Sequence, residues 1–325
     1  MKEKRLFKFG ILALSIVLIA CTGGSAEAGC PEIDGREINV VATTPMIGEF
    51  VSEVGGDNIN LTVLMPAEAD PHTYDPAPQD AGTIADADLV FYTGLKYEPA
   101  ALVKLLENSA CSAEVLAEVG ENVFPIEFKE GGHDDHDEEW HDDHAGHDHG
   151  AYDPHFWFDP NRVAYAAEYI ESKLVEFDPS NASEYEAAGK AYVTELKGLV
   201  GQVSELISTI PSQNRKLITT HESLGYLEAK FGLEVLSTII PSIDSANEIS
   251  PSQLVGVIDV IEDNNVKVIF IEAEAPSVYA ETIVAETGIK AVEGLWVETL
   301  KEGQSYPEFL LSAVELIVEN LANTG

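Results

Sequence analysis

Short apolar runs rich in β-branched residues alternate along the chain with longer stretches whose apolar positions recur at helical spacing. Residues 38–43 (INVVAT) predict a strand, and Thr44-Pro45 opens a helix running to about Val54, with Thr as cap and Pro in its first turn. Gly55-Gly56-Asp57 closes it. Residues 61–65 predict the next strand, 66–78 a proline-broken loop, 78–87 a helix and 88–93 a buried strand. Residues 98–108 are helical again, and 115–126 carry a weaker strand signal near Val123. Beyond Asn161 the pattern stays helical to Phe177, breaks at Asp178-Pro179 and resumes. Residues 181–210 then run without proline, with Tyr185, Tyr192, Leu196, Leu199, Val203, Leu206 and Ile210 at helical spacing. At 1.5 Å per residue such a helix spans roughly 45 Å, a length suited to joining two lobes.

The second half repeats the alternation. Residues 216–220, 234–239, 266–271 and 289–292 predict strands, of which 266–271 is the clearest buried one. Helices are expected over 221–231, from Ser250-Pro251 to about Asn264, over 277–287, and from Tyr306-Pro307 to about Asn320. No repeat at a fixed period exists. The fold class expected is α/β, with two parallel-sheet lobes joined by one long rigid helix and ligand loops beyond the carboxyl ends of the strands. The expected boundaries are an N-terminal lobe over 38–180 that includes the loop 131–150, a linking helix over 181–211 and a C-terminal lobe over 212–325.

The N-terminus changes the compartment. Lys2, Lys4, Arg5 and Lys8 precede an apolar run from Phe9 to Ala20, the shape of a secretory signal and too short for a membrane span. Leu18-Ile19-Ala20-Cys21 resembles the lipobox of exported lipoproteins, which implies cleavage after residue 20, lipid on Cys21 and a tether over 21–37. Cleavage after Ala26-Glu27-Ala28 is the rival reading. An extracytoplasmic protein anchored to the cell membrane, or a periplasmic one, is expected. With Cys21 lipidated, Cys30 and Cys111 remain as a candidate disulfide in an oxidising compartment. The absence of C-x-x-C argues against a thiolate zinc site.

The formal net charge is −39, and losing residues 1–20 removes four basic residues and one acid, so the mature chain is more acidic still. That balance argues against nucleic acid and favours cations. Six of the nine histidines, His133, His136, His141, His144, His147 and His149, lie in a tract with eight acids among 17 residues. Such a tract is either a solvated low-complexity loop or an accessory surface that collects divalent cations. The other three, His72, His155 and His221, each fall on a loop or a strand-to-helix junction. Asp70-Pro71 precedes His72 and Asp153-Pro154 precedes His155, which stiffens the backbone and offers a carboxylate to hold an imidazole tautomer. Three imidazoles with one carboxylate suit tetrahedral Zn²⁺, whereas oxygen-rich sites suit Mn²⁺.

Four segments, DPHTYDP at 70–76, DPHFWFDP at 153–160, THESLGYLEAKFGL at 220–233 and EGLWVETL at 293–300, resemble in order the signature segments of the zinc and manganese solute-binding proteins of ABC importers. The resemblance covers essentially the whole mature chain. It implies His72, His155 and His221 as metal ligands in a cleft between the lobes, and it implies an ABC permease as partner. The fourth ligand in that family is usually an aspartate; Glu298 stands there in this chain. Manganese carriers of the family usually have an acid at the third position and lack a histidine tract, so His221 and the tract point to Zn²⁺ over Mn²⁺. The implied protein is a zinc receptor, expected to be monomeric, that performs no covalent chemistry. Two other readings use the same residues: a zinc hydrolase, with Glu222 or Glu298 as base, and a metal-binding adhesin or surface zinc buffer. No H-E-x-x-H or G-x-S-x-G supports the hydrolase. Trp140, Trp157 and Trp296 are expected to pack, and Glu222 to support His221 or to favour the first turn of a helix.

Overall fold

The computed structural model describes residues 30, 33, 35–128, 152–242, 248–275 and 277–322. The signal segment 1–20, Cys21, most of the tether and the tract with its six histidines and Trp140 lie outside the described residues.

Eight strands form two parallel four-stranded sheets of the same topology. The first comprises β1 (Ile38–Ala42), β2 (Ile59–Val63), β3 (Leu89–Tyr92) and β4 (Leu116–Glu118), in the order β2-β1-β3-β4. The second comprises β5 (Lys216–Thr219), β6 (Glu234–Thr238), β7 (Val268–Glu272) and β8 (Lys290–Leu295), in the order β6-β5-β7-β8. Helices α1 (Pro45–Gly55), α2 (Pro78–Ala85) and α3 (Ala100–Ser109) belong to the first sheet; α6 (Gly225–Phe231), α7 (Pro251–Asp263) and α8 (Ala280–Thr287) belong to the second. Between the sheets run α4 (Pro160–Phe177) and the 27-residue α5 (Ala182–Ser208), and α9 (Tyr306–Leu321) ends the fold. In each sheet the chain reverses its direction of winding beside the first strand, so loops at the carboxyl ends face a crevice.

Local chemistry sets the boundaries. The Thr44, Ser250 and Ser305 side chains accept the N–H groups of Ile47, Gln253 and Glu308, and a proline occupies the first turn of each helix they cap. All five residues of β7 are buried, as a central parallel strand covered on both faces requires. β2 begins two residues earlier than its apolar pattern suggests, because pairing with β1 runs from Ile38↔Ile59 to Ala42↔Val63. The fourth strand lies at 116–118, where Leu116 pairs with Val90; Val123, at the centre of the expected signal, falls in a 3-10 turn. α8 starts at Ala280, three residues later than expected. α6 starts at Gly225, so His221 and Glu222 lie in the bend before it and neither occupies a helical first turn.

One continuous apolar core crosses the molecule. Ile38, Phe50 and Val54 from the first sheet and α1 join Phe270, Leu295 and Phe309 of the second half through Tyr185, Leu196, Leu199, Val203 and Ile207 of α5. The long helix is therefore packed along its length against both halves. Smaller clusters lie around Val41, Val90 and Leu102 and around Ile218, Ile269 and Ile283. A disulfide joins Cys30 to Cys111, with Cα atoms 5.0 Å apart, and ties the segment before β1 to the chain just after α3. Among the described residues no helix is long and apolar enough to cross a membrane.

Candidate metal centre

The four carboxyl-end loops of greatest interest converge. His72 follows β2 in a 3-10 turn (Pro71–Thr73), His155 precedes another (Phe156–Phe158) beyond β4, His221 follows β5, and Glu298 follows β8. The structure brings one ligand-type atom from each of these side chains within 4.8 Å of all the others. Their meeting point is Glu298 Oε1, which lies 3.3 Å from His72 Nε2, 3.2 Å from His155 Nε2 and 2.6 Å from His221 Nε2. Close as it is, the His221 nitrogen is out of line for a hydrogen bond and has no hydrogen-bond partner among the described residues. When protonated this imidazole pairs with Oε1 by charge alone, and a cation that took the place of the proton would be bound by both atoms. These four residues could hold one metal ion, with three imidazole nitrogens and a carboxylate oxygen as donors.

Each donor is aimed by a neighbour. Asp153 Oδ1 accepts the His155 backbone N–H at 2.9 Å and lies 2.8 Å from Nδ1 of the same residue, which leaves Nε2 facing the cluster. Glu272, the last residue of β7, does the same for His221: Oε2 is 2.5 Å from Nδ1, while Oε1 accepts the His221 N–H and the Ser223 hydroxyl, each at 3.2 Å. Asp70 accepts the His72 backbone N–H at 2.9 Å. The Glu298 loop is gripped at its backbone, since Glu274 Oε1 accepts the N–H groups of Val297, Glu298 and Thr299 at 3.1, 3.0 and 3.2 Å. From the other half, Trp157 Nε1 donates to the Val297 carbonyl at 2.8 Å, and Tyr97 donates to Glu298 Oε2 at 2.9 Å.

Burial and charge act against each other here. Burial pushes the His155 imidazole down, but Glu298 and Asp153 hold it up at about 9. Burial likewise lowers His221, and Glu272 with Glu298 more than offsets it, leaving His221 well above the ordinary histidine value. Burial would raise Glu298, yet His155 and His72 draw it well below the usual carboxylate range. The Tyr97 phenol stands well above its ordinary value through burial and then the Glu298 charge, so it remains a donor. Burial carries Glu274 up to about 7 against the pull of its backbone donors.

The Asp-Pro pairs before His72 and His155 mark this site in the sequence, and the aspartates do hold those residues. Tyr97, Glu272 and Glu274 were not singled out by sequence reasoning. For Glu272 a signal existed: an acid ends the most apolar strand of a parallel sheet, where side chains face the ligand crevice. Glu222 lines a cleft together with Asp153, Leu224 and Thr238. Trp157 is fully buried, whereas Trp296 is half-buried beneath Lys301.

Residues 40–320 match the family described as ZnuA, zinc-uptake complex component A, periplasmic. The manganese-binding lipoprotein MntA of Halalkalibacterium halodurans is 24% identical over 324 residues, covering 98% of this chain and 99% of that protein. The high-affinity zinc uptake system protein ZnuA of Bacillus subtilis is 29% identical over 323 residues, 96% of each chain. The periplasmic zinc-binding protein TroA from Treponema pallidum shares the fold, with a TM-score of 0.75 at 22% identity over 88% of this chain and 100% of that one. With the match running through both sheets and all four converging residues, the chain belongs to the ZnuA family of metal-binding, solute-capturing components of ABC importers, which are not enzymes.

Proposed function

We propose that this protein captures Zn²⁺ outside the cytoplasm and delivers it to an ABC importer permease, with His72, His155, His221 and Glu298 as its ligands. The observation that carries the reading is the convergence of three Nε2 atoms on one carboxylate oxygen, with His155, His221 and Glu298 buried and His72 partly so. Such a donor set matches the four-coordinate preference of zinc, whereas manganese favours more oxygen donors. The names of the relatives divide between the two metals, so the donor set supplies the choice.

Lipid on Cys21 holds the protein at the membrane, and the six histidines of the tract collect ions for the buried site. The name of the H. halodurans relative, a lipoprotein, supports the first statement, and the composition of 133–149 supports the second. Calorimetric titration with Zn²⁺ and Mn²⁺ in competition tests the central claim. Zinc should displace manganese at one site per chain, and manganese displacing zinc would overturn the assignment. Mass spectrometry of the protein from membranes should find the mature chain beginning at a lipidated Cys21.

A further inference from the structure

Glu298 has two carboxylate oxygens, and the fold treats them differently. Oε1 faces the three imidazoles, while Oε2 accepts the Tyr97 hydroxyl at 2.9 Å, the shorter of that hydroxyl's two contacts with Glu298, the other being 3.1 Å to the backbone carbonyl. We infer that Tyr97 is a specificity-determining positioning residue: by occupying Oε2 it keeps Glu298 monodentate, so the site offers four donors, accepts Zn²⁺ and rejects ions that need five or six. The inference rests on the zinc-site reading above.

Three further observations support it. First, the Tyr97 ring walls the site, packing edge-on against His72 at 5.4 Å, His155 at 6.0 Å and Trp157 at 5.3 Å. At 1% exposure it leaves little room on that side for water as an added ligand. Second, the chain takes an unfavourable path to put it there. Gly94, Leu95 and Lys96 have φ of 76°, 52° and 63°, and two of these three residues carry side chains that resist the left-handed region. Third, this path is braced from beneath. Buried Glu98 accepts the Thr93 and Gly94 N–H groups at 2.6 and 2.9 Å and the Thr43 hydroxyl at 2.7 Å. A strained loop held by a buried carboxylate is a costly way to place a tyrosine that only fills space. Mn²⁺ is served by octahedral, oxygen-rich shells, and a second carboxylate oxygen is the nearest donor it could gain.

The test compares the full-length protein with Tyr97→Phe, which keeps the ring and removes the hydroxyl. Competition titration with Zn²⁺ and Mn²⁺ should show the preference for zinc falling by about tenfold or more in the variant. Substitution with Co²⁺ gives a spectroscopic readout that simple loss of packing would not mimic. The wild-type protein should show the intense visible bands of a four-coordinate ion, and Tyr97→Phe the weaker bands of a five-coordinate one. A wild-type spectrum of weak six-coordinate type would overturn the inference even if the variant failed to fold. So would a folded Tyr97→Phe with unchanged spectrum and metal preference. His155→Ala separates the two levels: if it retains full zinc affinity the ligand assignment itself fails, whereas loss there with an indifferent Tyr97→Phe removes only the role of Tyr97.

Discussion

A histidine presents to a metal whichever ring nitrogen its other nitrogen leaves free, so the carboxylates behind His155 and His221 govern the site as much as the imidazoles do. Glu272 contacts His221 at both Nδ1 and the backbone N–H, and Glu272→Ala should weaken zinc binding by about 10–100-fold in calorimetry, with Glu272→Gln recovering part of the loss. Glu298 and Asp153 impose a pH dependence through His155. In the metal-free protein, the His155 proton is stabilised up to about 9. Its contribution to stability is therefore complete below the unfolded value of about 6.5 and is lost as pH rises through the folded one. Thermal unfolding of the metal-free protein should accordingly be lower near about pH 10 than near about pH 7. Zinc must displace the same protons, so its apparent affinity should rise with pH across about pH 6–8, and titrations in buffers of different ionisation enthalpy should register proton release. The three lone histidines were legible because each stands at a loop and two follow Asp-Pro. Tyr97 was not, since only the left-handed turn at 94–96 swings it from the end of β3 to Glu298 across 201 residues of sequence.

Elements were legible in proportion to how far local rules decide them. Strong caps and apolar periodicity placed α1, α4, α7 and α9 nearly to the residue. Long-range pairing decided the rest. β4 has only three residues, and its position follows from its register with β3, which no local pattern encodes. The start of α6 slipped by four residues because His221 and Glu222 are drawn into a bend by partners far away, the Glu272 carboxylate and the Ser242 carbonyl. α5 carries the argument for a rigid connection. Leu196 is fully buried where the two halves share one core, and Leu196→Ala should cost about 2–5 kcal/mol in urea unfolding. Unfolding should remain a single transition, since no boundary in the core separates the halves. At this scale too, deleting residues 132–150 should change the zinc affinity of the purified protein far less than His72→Ala, His155→Ala or His221→Ala. Equal losses would make the tract part of the principal site.

The whole molecule carries a net charge of −39, with 57 acids against 18 basic residues, and so repels itself at neutral pH. Salt screens that repulsion over a length of about 10 Å at 0.1 M and about 3 Å at 1 M. The unfolding temperature should therefore climb between these two salt concentrations, as differential scanning calorimetry would record. The field also concentrates cations near the surface in dilute salt, where capture of zinc should be fastest.

The grip of Trp157 on the Val297 carbonyl and of Tyr97 on Glu298 bears on time as well as on affinity. Both donors come from the half that carries His72 and His155, and both acceptors from the half that carries His221. An ion among these four side chains takes donors from both halves, and parting the halves at this point breaks both contacts together. With one core joining the halves, release should need only a local loosening at these two contacts, so Trp157→Phe should shorten the residence time of the metal in a chelator-chase measurement.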